Sequence, residues 1–159
     1  MLTTYTTYND IRAALGVSLD DIKDSVLSLD VYSDALTQEF EEISLDLETT
    51  YTTKSALPTP TAAETRFITA CNLFATYCVA KQLTAAMPLF AAKQLSDGKA
   101  QVSRFDNPYK DVVAQVLAQY EKARSRLLAA FAAITTTTTV SQSKSYFAVI
   151  SPSTDPVIE

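Results

Sequence analysis

The sequence predicts an all-α fold, a small helical bundle with an extended C-terminal arm, and three observations carry it. Apolar residues recur at i, i+3, i+4 and i+7 through most of the first 134 positions. Hydroxyl and acidic residues stand three apart at the heads of these periodic stretches, the signature of helix capping boxes. After Ile134 the character changes abruptly to threonines, β-branched residues and aromatics. The division expected is a helical domain over residues 1–134 and an arm over 135–159.

The first helix lies in "TTYNDIRAALG". Thr7 caps it with Asp10 at the third position, Ile11 and Leu15 fall one turn apart, and Gly16 ends it in a left-handed conformation. Ser18 with Asp21 is a second capping box, and Ile22, Val26 and Leu29 predict a helix behind it. From Asp30 to Glu48 one helix is expected, with Leu36, Phe40, Ile43 and Leu47 as its apolar stripe. Asp34, Glu39, Glu41, Glu42, Asp46 and Glu48 cover much of its remaining surface. "TTYTTKSALPTPT" breaks the pattern and reads as a connecting loop.

Thr61 and Glu64 form a capping box at the head of a long central helix, about Ala63 to Ala86. Its inward stripe is Phe67, Cys71, Phe74 and Cys78, broadened by Ile68, Leu73, Tyr77 and Val79. The cysteines, seven residues apart on a helix, stand about 10.5 Å apart along the axis, beyond the reach of a disulfide. They read as small core hydrophobes. Pro88 interrupts the helix, Asp97-Gly98 marks a turn, and "KAQVSRFDN" is irregular or briefly extended. Asn107-Pro108 opens the last helix. Val113, Val116, Tyr120, Leu127, Phe131 and Ile134 lie on its buried face, and Lys122, Arg124 and Arg126 make its second half basic. Threonines 135–139 have low helix propensity and predict that the helix stops at Ile134. In "SYFAVIS" an extended backbone sets Tyr146, Ala148 and Ile150 on one face and Phe147 and Val149 on the other.

Composition narrows the function. Apolar residues make 47 % of the chain and charged residues 19 %, a globular balance. "MLTTYTTYND" has neither the basic start nor the apolar stretch of a signal peptide, and "LLAAFAAI" is too short to cross a bilayer, so a soluble protein without membrane contact is expected. The chain has no histidine and only two glycines, a poor inventory for proton transfer at neutral pH, histidine-metal sites or glycine-built phosphate loops. No enzyme activity, cofactor or metal is expected. Charge is uneven, net −9 over residues 1–50, +5 over 51–135 and −1 over the rest.

"IRAALGVSLDDIKDSVLSL" has the outline of a helix-turn-helix, which makes a DNA-binding regulator the alternative function. Charge argues against it: Asp20, Asp21, Asp24 and Asp30 stand on the would-be recognition helix against Lys23 alone.

"YNDIRAALGVSLDDIKDSVLSLDVYSDALTQEFEEI", a threonine-rich link, a long helix and then "LSDGKAQVSRFDNPYKDVVAQVLAQYEKARSRLLAAF" together resemble the head-to-tail adaptor proteins of tailed bacteriophages, also called connector or head-completion proteins. The resemblance covers residues 8 to about 134 and rests on element order and local wording. It implies a structural virion protein at the head-tail junction, made in the host cytoplasm. Copies would form a ring, commonly twelvefold, beneath the portal protein and link it to the next tail or nozzle component, with DNA passing through the centre. Members often carry a C-terminal arm that reaches the portal. In this chain the expected portal-binding residues are Val140, Tyr146, Phe147, Val149, Ile150, Val157 and Ile158, and the expected channel-facing acids are Asp34, Glu39, Glu41, Glu42, Asp46 and Glu48.

Overall fold

In the computed structural model, which describes residues 2–85, 94–96, 101–103 and 110–139, Thr7 opens the first helix as its sequence requires. Its Oγ1 accepts from the Asp10 N–H at 3.2 Å and donates to the Asp10 carboxylate at 2.6 Å. Helix α1 runs Tyr8–Leu15 behind a short 3-10 turn, Leu2–Thr4. Gly16 ends α1 at φ 69°, a left-handed backbone that glycine enters without steric cost, and the Val17 N–H returns to the Arg12 carbonyl at 3.1 Å.

The helix expected from Ser18 does not form. Asp21 accepts from both the Ser18 N–H at 2.8 Å and its hydroxyl at 2.7 Å, one half of a capping box, yet only a turn follows. The reason is Arg12, whose Nε donates to the Ile22 carbonyl at 2.8 Å. In a helix that carbonyl would receive the Val26 N–H, which bonds Lys23 instead at 3.0 Å. What remains is α2, the four residues Asp24–Leu27.

The expected Asp30–Glu48 helix is two helices. α3 covers Asp30–Ile43, Ser44 adopts an extended backbone, and α4 covers Leu47–Ser55. Threonines 49, 50, 52 and 53, expected in a loop, are therefore helical. Buried Leu47 and Tyr51, one turn apart, hold α4 to the core. The Thr52 and Thr53 hydroxyls bond the carbonyls four residues back, at 2.9 and 2.8 Å, which satisfies them within the helix.

α5, Ala62–Thr84, is the central helix, and its capping box is complete: the Thr61 N–H donates to Glu64 Oε2 at 2.8 Å while the Glu64 N–H donates to Thr61 Oγ1 at 3.3 Å. Lys54 reaches across the proline-containing loop to Glu64 at 2.7 Å and fastens the end of α4 to the start of α5. Gln94–Ser96 (β1) and Gln101–Ser103 (β2) form an antiparallel ladder with Leu95 opposite Val102, in keeping with the extended piece expected there. Pro88, Asp97-Gly98 and Asn107-Pro108 lie outside the described residues.

The last helix, α6, runs Lys110–Thr139. It passes through all five threonines that were expected to stop it. An established helix extends one residue at a time without repeating the cost of nucleation, and threonine's penalty is only some tenths of a kcal/mol per residue. The Thr135 hydroxyl bonds the Phe131 carbonyl at 3.0 Å, a partner that only helical geometry offers. Residues 135–139 thus continue the last helix.

The molecule is a small all-α protein in which α5 packs along α6 and is flanked by α1, α3 and α4. Phe67, Cys71, Phe74 and Cys78 on α5 are buried, as are Leu36, Phe40 and Leu47 opposite them and Val116, Tyr120 and Leu127 on α6. Aromatic rings thread the core: Tyr51 to Tyr5 at 4.6 Å between centroids, Tyr5 to Phe40 at 5.0 Å, Phe40 to Phe74 at 5.7 Å and Phe74 to Tyr120 at 5.5 Å.

Candidate functional site

The acidic surface is where sequence and structure part most instructively. Glu39 sits one position before Phe40 on α3, at the margin of the buried stripe, and its carboxylate turns inward. Oε1 accepts from Lys81 Nζ of α5 at 2.8 Å and Oε2 accepts from the Tyr120 hydroxyl of α6 at 2.5 Å. Burial alone would push its pKa up. The hydrogen bonds from Lys81 and Tyr120, with the charges of Lys81 and Arg124, outweigh burial and hold it below the ordinary carboxylate value. The Tyr120 hydroxyl is pushed up to about 12, by burial first and by its bond to Glu39 second. Glu39 is a fastener of three helices, half-buried and paired within one copy of the chain.

Glu48 is also engaged within the molecule. It is half-buried on α4 and accepts from the Tyr5 hydroxyl at 3.1 Å; burial first, then this carboxylate, raises the Tyr5 pKa. Asp34, Glu41, Glu42 and Asp46 are exposed. The acidic face is therefore these four residues along α3 and at its junction with α4. A signal for Glu39 did exist in the sequence: Lys81 is the sole charged residue from Phe67 to Thr84, and a cation in so apolar a stretch demands a partner.

On α6, Lys122 and Arg126 are exposed and Arg124 is half-buried. Helix α3 exposes carboxylates and no cation, while α6 exposes the cations Lys110, Lys122 and Arg126 together with the carboxylates Asp111 and Glu121, so an acidic α3 faces solvent beside a mixed α6. The expected portal-binding residues, Val140, Tyr146, Phe147, Val149, Ile150, Val157 and Ile158, lie outside the described residues.

Sequence reasoning missed Arg12. Its side chain is buried, and besides the Ile22 carbonyl it binds Asn9 at 3.0 Å and pairs with Asp24. It fixes the turn that replaces the expected second helix. Asp20, Asp21 and Asp24 around that turn are exposed. Cys71 and Cys78 are free, buried thiols, each pushed up to about 12 by burial.

Among the described residues no cluster of histidine, cysteine or carboxylate side chains is placed to hold a metal, and no helix is long and apolar enough to cross a membrane. Compared with protein-family models, curated proteins and solved structures, the chain finds no match.

Proposed function

We propose that this chain is a head-to-tail adaptor of a tailed bacteriophage, a structural protein whose copies form a ring beneath the portal, join it to the next tail component and surround the DNA channel. The observation that carries the reading is the separation of exposed charge, with Asp34, Glu41, Glu42 and Asp46 on α3 and its junction and Lys122 and Arg126 on α6. Anionic and cationic surfaces on separate helices let one copy meet the next, and carboxylates that remain facing the channel repel phosphate and let DNA slide. The regulator gains little from the first thirty residues: α2 has four residues, too few to lie along a major groove, and the turn before it adds Asp20 and Asp21.

The segment beyond Thr139 is assigned to portal attachment by strand addition, in which main-chain hydrogen bonds give affinity and alternate side chains enter pockets on either face. The test mixes the protein with its cognate portal rings and examines them by electron microscopy, with a DNA retardation assay alongside. Rings decorated by the intact chain, bare with a chain lacking residues 140–159, and no retardation of duplex DNA are the expected results. Salt-sensitive DNA retardation without decoration would replace the adaptor with the regulator.

A further inference from the structure

Between α5 and α6 runs an open groove of about 540 Å³. Small and apolar side chains, Ala70 and Leu73 of α5 and Ala129 and Ala130 of α6, make its floor, and Arg66 and Arg126 stand on its rim. Both arginines are exposed. Alanines leave room for a larger side chain from outside, and two unburied guanidiniums favour carboxylates beside it.

The same molecule carries the complementary shape. Leu45, in the break between α3 and α4, is 82 % exposed, the most exposed large apolar side chain among the described residues. A single exposed leucine needs no explanation. This one is flanked in the chain by Glu41, Glu42 and Asp46, all exposed, so it is an apolar knob set among carboxylates.

We propose that the Leu45 knob of one copy docks in the α5–α6 groove of the next, with Glu41, Glu42 and Asp46 facing Arg66 and Arg126. The occupant is a second copy of this chain, chosen by complementarity of both kinds: apolar into apolar and anion onto cation. Knob and groove share no residue, so each copy offers its knob to one neighbour and its groove to the other. Such a heterologous contact propagates head to tail and closes into a ring when its rotation permits. Glu41, Glu42 and Asp46 are then neutralised at the subunit boundary, which leaves Asp34 as the channel-facing member of the acidic set. The inference rests on the ring reading and supplies its contact surface.

Charge reversal tests it on the full chain. E41K/E42K gives a basic knob with the native groove, and R66E/R126E gives an acidic groove with the native knob. All four positions are exposed, so both variants should keep the native far-UV circular dichroism. Each alone should lose self-association at least about tenfold by sedimentation velocity. An equimolar mixture should recover it, because basic knob meets acidic groove and native knob meets native groove in alternation. A Leu45→Cys, Ala130→Cys chain should give on oxidation a ladder of covalent oligomers, since Cys71 and Cys78 are buried and do not compete. If wild-type rings form, alone or on portals, and the reversals leave them intact or the mixture fails to recover, this interface is wrong and the ring reading stands. If wild-type copies associate neither alone nor on portal rings, both fall.

Discussion

Lys81 Nζ lies 4.0 Å above the centre of the Tyr120 ring while the hydroxyl of that ring and the ammonium share the two oxygens of Glu39. The ammonium is thus held by a carboxylate and an aromatic face together, and α3, α5 and α6 are tied at one point. Pairing at this depth is strong only when all partners are present.

Glu39→Gln should show it. The amide cannot supply two anionic acceptors, and Lys81 keeps its charge in partly buried surroundings. A loss of about 1–2 kcal/mol is expected in urea unfolding. Glu41→Gln, at an exposed position, should stay within about 0.5 kcal/mol of wild type.

Acid should unfold the protein through the same carboxylates. Glu39 and Glu64 both have folded pKa values below their ordinary 4.5, Glu64 down to about 2 through its bonds from Lys54 and Thr61. A depressed carboxylate contributes stability that is present above its unfolded pKa and lost as pH falls through the folded one. Urea midpoints should therefore fall between pH 4.5 and about 2, and Glu39→Gln should flatten that slope.

Arg12→Met should keep the packing of the stem but remove the donor to the Ile22 carbonyl. A cost of about 1–3 kcal/mol is expected, with faster amide exchange over residues 18–27. Asp24 is exposed and contributes little, so Asp24→Asn should cost under about 1 kcal/mol.

The thiols should be silent. Cys71 and Cys78 are buried and each is pushed up to about 12, so neither presents thiolate to reagents at pH 8. Native protein should titrate as free of reactive thiols with a disulfide reagent, and both should react once urea is added. Prompt reaction of the native protein would show that α5 opens readily.

Local signals were legible wherever the chain answers to its own neighbours. Thr61 with Glu64, Thr7 with Asp10, and Gly16 each do what their spacing predicts; the α5 stripe is core, and on α6 Val116, Tyr120, Leu127 and Ile134 are buried while Val113 and Phe131 are half-buried. Apart from threonines 135–139, which an established helix carries through, the failures came from partners distant in sequence. Ser18 and Asp21 make capping contacts that lead to no helix because a side chain ten positions before Ile22 takes its carbonyl. Threonines 49, 50, 52 and 53 became helical because Leu47 and Tyr51 are anchored in the core. Glu39 looked like one more surface acid until residues 81 and 120 arrived beside it. Of the expected acidic site, the four exposed members were readable from charge pattern; the two inward ones were decided by tertiary pairing.

The line of rings from Tyr51 through Tyr5, Phe40 and Phe74 to Tyr120 has an optical consequence. The chain contains no tryptophan, so tyrosine and phenylalanine transitions supply its near-ultraviolet aromatic spectrum. Rings held rigidly within 4.6–5.7 Å couple as exciton partners, and that coupling is chiral only while their mutual orientation is fixed. The near-ultraviolet dichroism of this protein therefore reports the meeting of the N-terminal segment with α3, α4, α5 and α6, a built-in spectroscopic gauge of the core that needs no label.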